Sequence, residues 1–308
     1  MLYFCSVVKQ GCEMSSEFIT AGMQDTVCQV RMLASGSAGN AIYVRLEEVR
    51  LLIDVGISRR RIVNALKEIG EDLSSIDAIL LTHEHVDHVC ALRKIRQKRP
   101  DISIYSTAGT ALACLRRKRW RYRHDVVEAD RSFAIGPLQI TPFAISHDAY
   151  EPVGYRIEVD DFAVGIATDL GRYSASVQRS LRDCQVLVVE ANHDPEMLFN
   201  GPYPAHLKRR VFSDKGHLSN EQARDLLTSV AGPKLKQVIL GHLSEKNNCP
   251  DLALAVVKEG FAGTDVKVRV AERKTPGPLM TFLRSCEDEV PVPALMPSAP
   301  ASEQMSLF

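Results

Sequence analysis

One short segment constrains the fold and the chemistry of this chain more than any other. Residues 83–88 read His-Glu-His-Val-Asp-His and follow a largely apolar run over residues 76–82. The run predicts a buried strand, and alternate side chains of an extended segment point the same way, so His83, His85 and Asp87 converge. The segment therefore predicts a metal site at the end of a strand.

The same segment carries donors for two metal ions. His83 and His85 can hold one ion, while Asp87 and His88, at the start of a helix predicted over Val89–Arg99, can hold the other. Imidazole and carboxylate donors suit Zn(II), Mn(II) or Fe(II) better than an ion that seeks thiolates. A polar loop with surface histidines is the alternative, but the whole chain has only 9 histidines.

Further candidate ligands follow apolar, β-branched runs elsewhere in the chain. They are Asp54, His147, Asp169 and His242. Each position predicts a residue at the end of a strand. Taken singly, each would more often be an ordinary turn residue, but their order and spacing indicate a site shared with residues 83–88.

This arrangement resembles the metallo-β-lactamase superfamily over roughly Cys28 to Phe282. The resemblance implies an α/β (α+β) fold, a four-layer αββα sandwich with a dinuclear site between its two sheets. It implies that Asp169 bridges the two ions and that Asp54 orients the histidine-rich loop. The remaining implied ligands are, for the first metal, His83, His85 and His147 and, for the second, Asp87, His88 and His242.

Longer segments resemble one bacterial subfamily, the YycJ/WalJ-like proteins, which are linked to exonuclease activity on DNA and related to tRNA 3′-processing endonucleases. The likeness is carried by segments that include residues 34–41, 190–194 and 215–220. In the tRNA-processing relatives, a histidine bonded to a glutamate is proposed to protonate the leaving oxygen of a phosphodiester. The resemblance implies that His217 and Glu190 form that pair here.

The chemistry of these residues also favours phosphodiester hydrolysis. Two metals about 3.5 to 4 Å apart can share a bridging hydroxide as the nucleophile and neutralise charge on the phosphate oxygens. None of the predicted ligands is a cysteine, and a cysteine in place of Asp169 would favour lactam hydrolysis. The expected catalytic residues are Asp87, which helps to hold the hydroxide, and the pair His217 and Glu190. A surface histidine before a helix is the alternative for His217.

Length and composition fit one catalytic domain. The chain has 308 residues, of which 45% are hydrophobic, and this suffices for a large core. We expect residues 1–26 to form a flexible extension, residues 27–285 the metallo-β-lactamase-like domain, and residues 286–308 a disordered, Pro-rich tail. The sequence has no long apolar run or secretory signal, and its 8 cysteines form no C-x-x-C pair. These features favour a cytoplasmic protein without a membrane partner.

Substrate contacts are predicted from local charge and position. The net charge is 0, which argues against a chain built only to coat nucleic acid. A basic run over residues 115–124 surrounds the single tryptophan and can neutralise phosphates and stack a base. A solvated helix face is the alternative for this run. The candidate contacts are Asn40, His193, Arg116, Arg117, Arg119 and Trp120.

The segment Gln304–Phe308 resembles the Gln-Leu-x-Leu-Phe peptide by which bacterial replication and repair proteins bind the sliding clamp. Met305 replaces the first leucine of that peptide. Leu307 and Phe308 would be the apolar anchors, and Gln304 would bond at the rim of the pocket. The likeness implies a sliding-clamp partner, and a chance apolar tail is the alternative.

Together these patterns predict a dinuclear metal-dependent phosphodiester hydrolase that acts as a DNA exonuclease in replication-linked repair. It would use two divalent ions per chain, which could be Zn(II), Mn(II) or Fe(II). An RNA-processing nuclease and a small-molecule hydrolase of thioesters or lactones remain alternatives on the same site. A non-catalytic adaptor bound to the clamp is a third, which the intact ligand set disfavours.

Overall fold

The computed structural model describes residues 26–118, 123–283 and 289–291. Within these ranges, a first sheet has eight strands, of which β3 to β6 run parallel. In spatial order the strands are β15 (Glu289–Pro291), β14 (Met280–Leu283), β1 (Thr26–Ala34), β2 (Ala41–Leu46), β3 (Val49–Ile53), β4 (Ala78–Leu80), β5 (Ser103–Ser106) and β6 (Asp125–Val126).

A second sheet in the same described ranges has seven strands. In spatial order they are β13 (Lys267–Val270), β12 (Gln237–Gly241), β11 (Val186–Glu190), β10 (Phe162–Ala167), β9 (Val153–Val159), β8 (Leu138–Ala144) and β7 (Phe133–Ile135). Strands β10 to β13 are parallel. Strand β8 runs in their direction as well, because both β8 and β10 are antiparallel to β9.

Helices cover the outer faces of both sheets. Those beside the first sheet are α1 (Arg59–Lys67), α2 (Val86–Val89), α3 (Leu92–Lys98) and α4 (Ala108–Lys118). Those beside the second sheet are α5 (Ala175–Leu181), α8 (Asn220–Val230) and α9 (Pro250–Glu259). Two shorter helices, α6 (Pro195–Asn200) and α7 (Ala205–Phe212), lie in the connection between β11 and α8.

Apolar side chains fill three layers, which confirms the predicted αββα sandwich. The central layer joins the sheets, for example through Leu51 of the first and Val188 of the second. The outer layers join each sheet to its helices. Tyr155 is fully buried between the sheets and donates its hydroxyl hydrogen to the carbonyl oxygen of Leu81 at 2.7 Å. This bond satisfies a buried polar group and connects the second sheet to the chain just before the histidine-rich segment.

The helix after that segment differs from the prediction. The sequence predicts one helix over Val89–Arg99, whereas the structure contains α2 and α3, and α2 already begins at Val86. The carbonyls of Asp87 and His88 accept hydrogen bonds at 2.7 Å from the backbone of Asn40 and Val55, so they are not free to continue a regular helix. Asp87 therefore projects from a helical turn rather than from the extended segment predicted for it, whereas His88 is helical, as predicted.

The predicted end segments fall largely outside the described residues. Strand β15 lies within the predicted tail and pairs antiparallel with β14, with Val290 opposite Thr281. Residues 1–25 and 292–308 are not described. None of the helices in the described ranges is long and apolar enough to cross a membrane.

Candidate metal centre

The predicted ligands gather where strands of both sheets end. Asp54 follows β3 and His83 follows β4, while His147, Asp169 and His242 follow β8, β10 and β12 of the second sheet. These strands present their carboxyl ends at one edge of the sandwich, where ligand sites of α/β sheets commonly form. The topology therefore brings together residues that are far apart in the sequence.

The histidines predicted for the first metal form one group. His83, His85 and His147 each offer a ring nitrogen, and these nitrogens lie within 4.8 Å of one another. The rings of His85 and His147 meet at 71° with centroids 5.1 Å apart, so the edge of one ring points towards the face of the other. Three imidazoles arranged in this way can hold one divalent ion.

The residues predicted for the second metal form an adjacent group, and Asp169 lies between the two. Donor atoms of Asp87, His88 and His242 lie within 4.8 Å of one another. Asp169 places Oδ2 3.2 Å from His88 Nε2 and Oδ1 3.8 Å from His147 Nε2. One carboxylate thus faces both groups, as its predicted bridging role requires.

Backbone conformation aims several of these side chains. Asp54, Asp169 and His242 have φ values of 58°, 59° and 52°, in the left-handed region that non-glycine residues seldom occupy. This backbone conformation is unfavourable for a non-glycine residue, so it occurs where contacts of the surrounding structure stabilise it. Ser35 helps to hold the last of them, because its Oγ accepts the His242 backbone N–H at 2.7 Å.

The chain matches the family described as Beta-lactamase superfamily domain over residues 49–243. The protein belongs to this superfamily. It is 34% identical over 244 residues to the exodeoxyribonuclease WalJ of Streptococcus pneumoniae serotype 2 (strain D39 / NCTC 7466), covering 78% of this chain and 90% of the relative. It is 32% identical to the exodeoxyribonuclease YycJ of Bacillus anthracis, covering 74% of this chain and 87% of the relative.

The fold of this superfamily member also resembles solved structures. The metallo-β-lactamase fold protein YhfI of Bacillus subtilis aligns with a TM-score of 0.62 at 17% identity, covering 82% of this chain and 99% of that protein. At this level of identity the likeness concerns the fold alone.

Residues behind the ligands orient them. His88 donates through Nδ1 to Asp54 at 2.7 Å, and Thr82 donates both its backbone N–H and its hydroxyl to the same carboxylate. The Thr82 hydroxyl also lies 3.0 Å from His83 Nδ1. With Nδ1 engaged on both histidines, Nε2 is left to face the centre, and Asp54 lies where it can fix the His88 ring directly and the His83 ring through Thr82. Thr82 was not among the predicted site residues, although it directly precedes His83.

Buried atoms without hydrogen bonds show that these residues fit a metal. Among the described residues, His83 Nε2, Asp169 Oδ2 and His242 Nε2 are buried and have no hydrogen-bond partner. A buried polar atom without a partner is costly, and such atoms rarely cluster by accident. These atoms belong to the two adjacent ligand groups, where a bound cation would give each of them a partner.

Electrostatics support the same interpretation. Burial, reinforced by His88, lowers the pKa of His83 well below its usual range, so this ring stays neutral. Burial also disfavours charge on His242, but Asp169, Asp87 and Glu190 outweigh it and raise its pKa to about 10. The carboxylates therefore attract positive charge to this point, and a divalent cation would compete with protons for it.

The predicted pair of His217 and Glu190 is formed beside the two groups. His217 Nδ1 lies 3.0 Å from Glu190 Oε2, and the side chain of His217 remains 16% exposed. Glu190 is fully buried, and its Oε1 accepts the backbone N–H groups of Leu170 and Leu218 at 2.8 and 2.9 Å. Burial opposes ionisation of Glu190, but His217 and His242 outweigh it and lower its pKa to about 2. Glu190 is therefore a fixed negative charge behind His217.

The predicted substrate contacts have mixed outcomes. Asn40 is buried, with Nδ2 3.0 Å from His88 Nε2, so it lies against the second ligand group. His193 is completely buried, a position that does not fit direct contact with a substrate on the open surface. Arg116 is exposed at the end of α4. The other predicted contacts lie outside the described part of the chain: the side chain of Arg117, Arg119, Trp120, Gln304, Leu307 and Phe308.

The burial of His193 leads to a prediction about pH. Burial lowers its pKa to about 4, against about 6.5 in an unfolded chain. Between about pH 6.5 and pH 4, His193 is protonated in the unfolded chain but neutral in the folded protein. The free energy of unfolding therefore falls as the pH drops from about 6.5 towards 4. His193→Phe keeps an aromatic ring but has no titrating group. The fall in its free energy of unfolding between pH 7.5 and pH 5 should therefore be smaller by about 2 kcal/mol than in the unmodified protein. Denaturant unfolding of both proteins at pH 7.5 and pH 5 measures the difference. An equal loss in both would show that His193 takes up its proton in the folded state.

The structure also reveals a charged pair at the site that local sequence patterns do not indicate. Arg210 of α7 donates through Nε to Asp148 Oδ2 at 2.6 Å. Asp148 Oδ1 in turn lies 3.3 Å from His147 Nε2. Only the fold brings α7 to this position, so no spacing in the sequence points to Arg210. The pair connects the first ligand group to the helix that precedes His217.

Proposed function

We propose that this protein, a hydrolase by its family, is a metal-dependent phosphodiesterase that degrades DNA from its ends. The observation that carries the proposal is the position of His217. Its ring centroid lies 5.2 Å from that of His147 and 5.0 Å from that of His242, one ring from each ligand group. A proton donor between two metal-binding groups suits a substrate whose leaving oxygen needs a proton, as the alkoxide of a phosphodiester does.

The residues that would hold the metals follow from the geometry. Asp169 would be shared between two divalent ions, which we propose to be Zn(II), Mn(II) or Fe(II) because the donors are imidazoles and carboxylates. Ions bound there would neutralise the phosphate oxygens and activate water near neutral pH. The other ligands would be, for one ion, His83, His85 and His147 and, for the other, Asp87, His88 and His242.

The proton balance rests on residues of the chain itself. A water molecule releases one proton to solvent, and its oxygen forms a new bond to phosphorus as the bond from phosphorus to the leaving oxygen breaks. Glu190 accepts the Nδ1 hydrogen of His217, which leaves Nε2 to donate a proton to the leaving oxygen. His217 then recovers a proton from solvent. Because Glu190 is ionised throughout the neutral range, it holds the ring in this orientation in every turnover.

The choice of DNA rests on the relatives. Both proteins that are 34% and 32% identical to this chain are exodeoxyribonucleases, and they align over most of their length. The site itself could also accept RNA or a small ester, so these are the outcomes to separate. The described cysteines are free thiols, which suits our proposal that the enzyme works in the cytoplasm.

The direct test uses metal-stripped protein to which Mn(II), Zn(II) or Mg(II) is returned. Substrates are linear DNA and linear RNA labelled at either end, with circular single-stranded DNA as the control without ends. We expect release of mononucleotides from linear DNA and none from the circle. Cleavage of RNA alone would favour an RNA-processing enzyme, and cleavage of thioesters or lactones alone would favour a small-molecule hydrolase.

We further propose that the enzyme acts in replication-linked repair through the sliding clamp. The support is the likeness of Gln304–Phe308 to a clamp-binding peptide. Deleting these residues should abolish clamp binding, which for such peptides lies in the micromolar range, while leaving cleavage of free oligonucleotides unchanged. Titration of clamp with the full chain measures binding. A second variant, with Leu307 and Phe308 replaced by alanine, should show the same loss of binding. Unchanged binding after deletion would contradict the proposal.

A further inference from the structure

Two phenylalanines form an exposed apolar patch near the candidate acid. Phe199 on α6 is 57% exposed and Phe212 on α7 is 56% exposed. Their ring centroids are 5.4 Å apart at an angle of 58°. Single exposed apolar residues are ordinary, but two large rings that touch each other in solvent suggest a contact surface.

The patch is held in a fixed position relative to His217. The carbonyl of Val211, next to Phe212, accepts the backbone N–H of His217 at 2.9 Å. Gly216 packs so closely that a Cβ there would collide with the carbonyls of Arg210 and Val211. The carbonyl of Gly216 in turn lies 3.3 Å from His147 Nδ1. A short, tightly packed segment therefore connects the aromatic patch to both the candidate acid and a candidate metal ligand.

Cations accompany the aromatic rings. Helix α7 carries Lys208, Arg209 and Arg210 in succession before Val211 and Phe212. Lys208 donates to the carbonyl of Phe199 at 2.6 Å and so fixes α6 beside α7. Positive charge that follows a backbone, together with aromatic rings that stack bases, is the combination used by proteins that bind single strands.

We propose that Phe199 and Phe212 stack a nucleobase of the strand being degraded. This inference rests on the proposed function. The base is the one on the leaving side of the scissile phosphate, because the patch adjoins the residue that protonates the leaving oxygen. Of the cations of α7, the exposed Arg209 would contact the backbone of the same strand, since Lys208 bonds to Phe199 and Arg210 to Asp148. Stacking tolerates any base, which suits an enzyme that must remove every nucleotide in turn.

The test compares Phe212→Ala and Phe199→Ala with Leu112→Ala, a control residue on α4 that is 40% exposed. On single-stranded DNA, each phenylalanine variant should raise KM by about tenfold, the scale of losing a stacked base. Phe212→Tyr and Phe212→Trp should restore KM, whereas Phe212→Leu, which keeps apolar area without an aromatic face, should not. The control should match the unmodified protein, and metal content and melting temperature show whether each variant is folded.

A strand with abasic sites near its end provides the second arm. The unmodified protein should bind the abasic strand as weakly as Phe212→Ala binds normal DNA. Phe212→Ala should bind the abasic strand and normal DNA equally. Equal KM for all proteins on both strands would overturn the stacking platform and leave the nuclease proposal standing. If no nucleic acid is cleaved, the nuclease proposal fails, and fluorescence anisotropy of labelled normal and abasic strands decides the platform. Equal affinity for the two strands would then refute it.

Discussion

Replacing Asp169 with asparagine should lower the rate of phosphodiester hydrolysis by about a thousandfold or more. Asparagine keeps the shape of the side chain and tolerates the left-handed backbone at this position, where φ is 59°. It removes, however, the charge that faces both ligand groups. Without it the site loses its shared ligand, and we expect fewer than two ions per chain by mass spectrometry of the metal content.

Asp183→Asn is the matched control for this change. Asp183 also has a left-handed backbone, with φ of 57°, but it lies in an exposed turn between α5 and β11. This variant should keep full activity and full metal content, so any loss in Asp169→Asn can be assigned to charge rather than to backbone strain. Normal turnover and two bound ions in Asp169→Asn would refute the bridging role.

Replacing His217 with alanine should slow cleavage of DNA by about a hundredfold or more while both metals stay bound. The structure motivates this expectation through the bond between His217 and the buried, ionised Glu190. The loss should fall mainly on kcat, because proton donation matters in the transition state rather than in substrate binding. Steady-state kinetics on an end-labelled oligonucleotide measure it.

The leaving group provides the decisive comparison for His217. A nitrophenyl phosphodiester leaves readily without a proton, so His217→Ala should be impaired far less on this substrate than on DNA. His206→Ala, which removes an exposed histidine on α7, should leave both rates unchanged. An equal loss on both substrates would mean that His217 does not act as the acid.

Local patterns, together with the family resemblance, were sufficient to predict which histidines and aspartates come together. Asp54, Asp169 and His242 follow apolar strands, and the ends of such strands can be recognised where a short, continuous apolar run gives way to polar residues. In residues 83–88, three histidines and an aspartate within six residues are enough to indicate a metal site. The sandwich architecture followed from the order of these motifs, because that order resembles a family whose topology is known.

What the sequence could not provide depends on tertiary contacts. The division of the predicted helix into α2 and α3 depends on carbonyls that bond to Asn40 and Val55, which lie far away in the sequence. The pairing of Arg210 with Asp148 requires α7 to fold back over the site. Burial of His193 was missed for a similar reason, since a histidine among polar neighbours gives no local sign that the fold will enclose it.

The left-handed backbone at Asp54, Asp169 and His242 has a consequence for attempts to make a more heat-resistant enzyme. The left-handed conformation destabilises the folded protein by about 1 to 2 kcal/mol per residue, and other contacts must offset this cost. A screen that selects for stability without measuring activity would favour glycine at all three positions, because glycine relieves this strain. These substitutions would remove three side chains of the site. Stabilising changes are better sought in outer turns, so that thermal tolerance and turnover do not compete for the same residues.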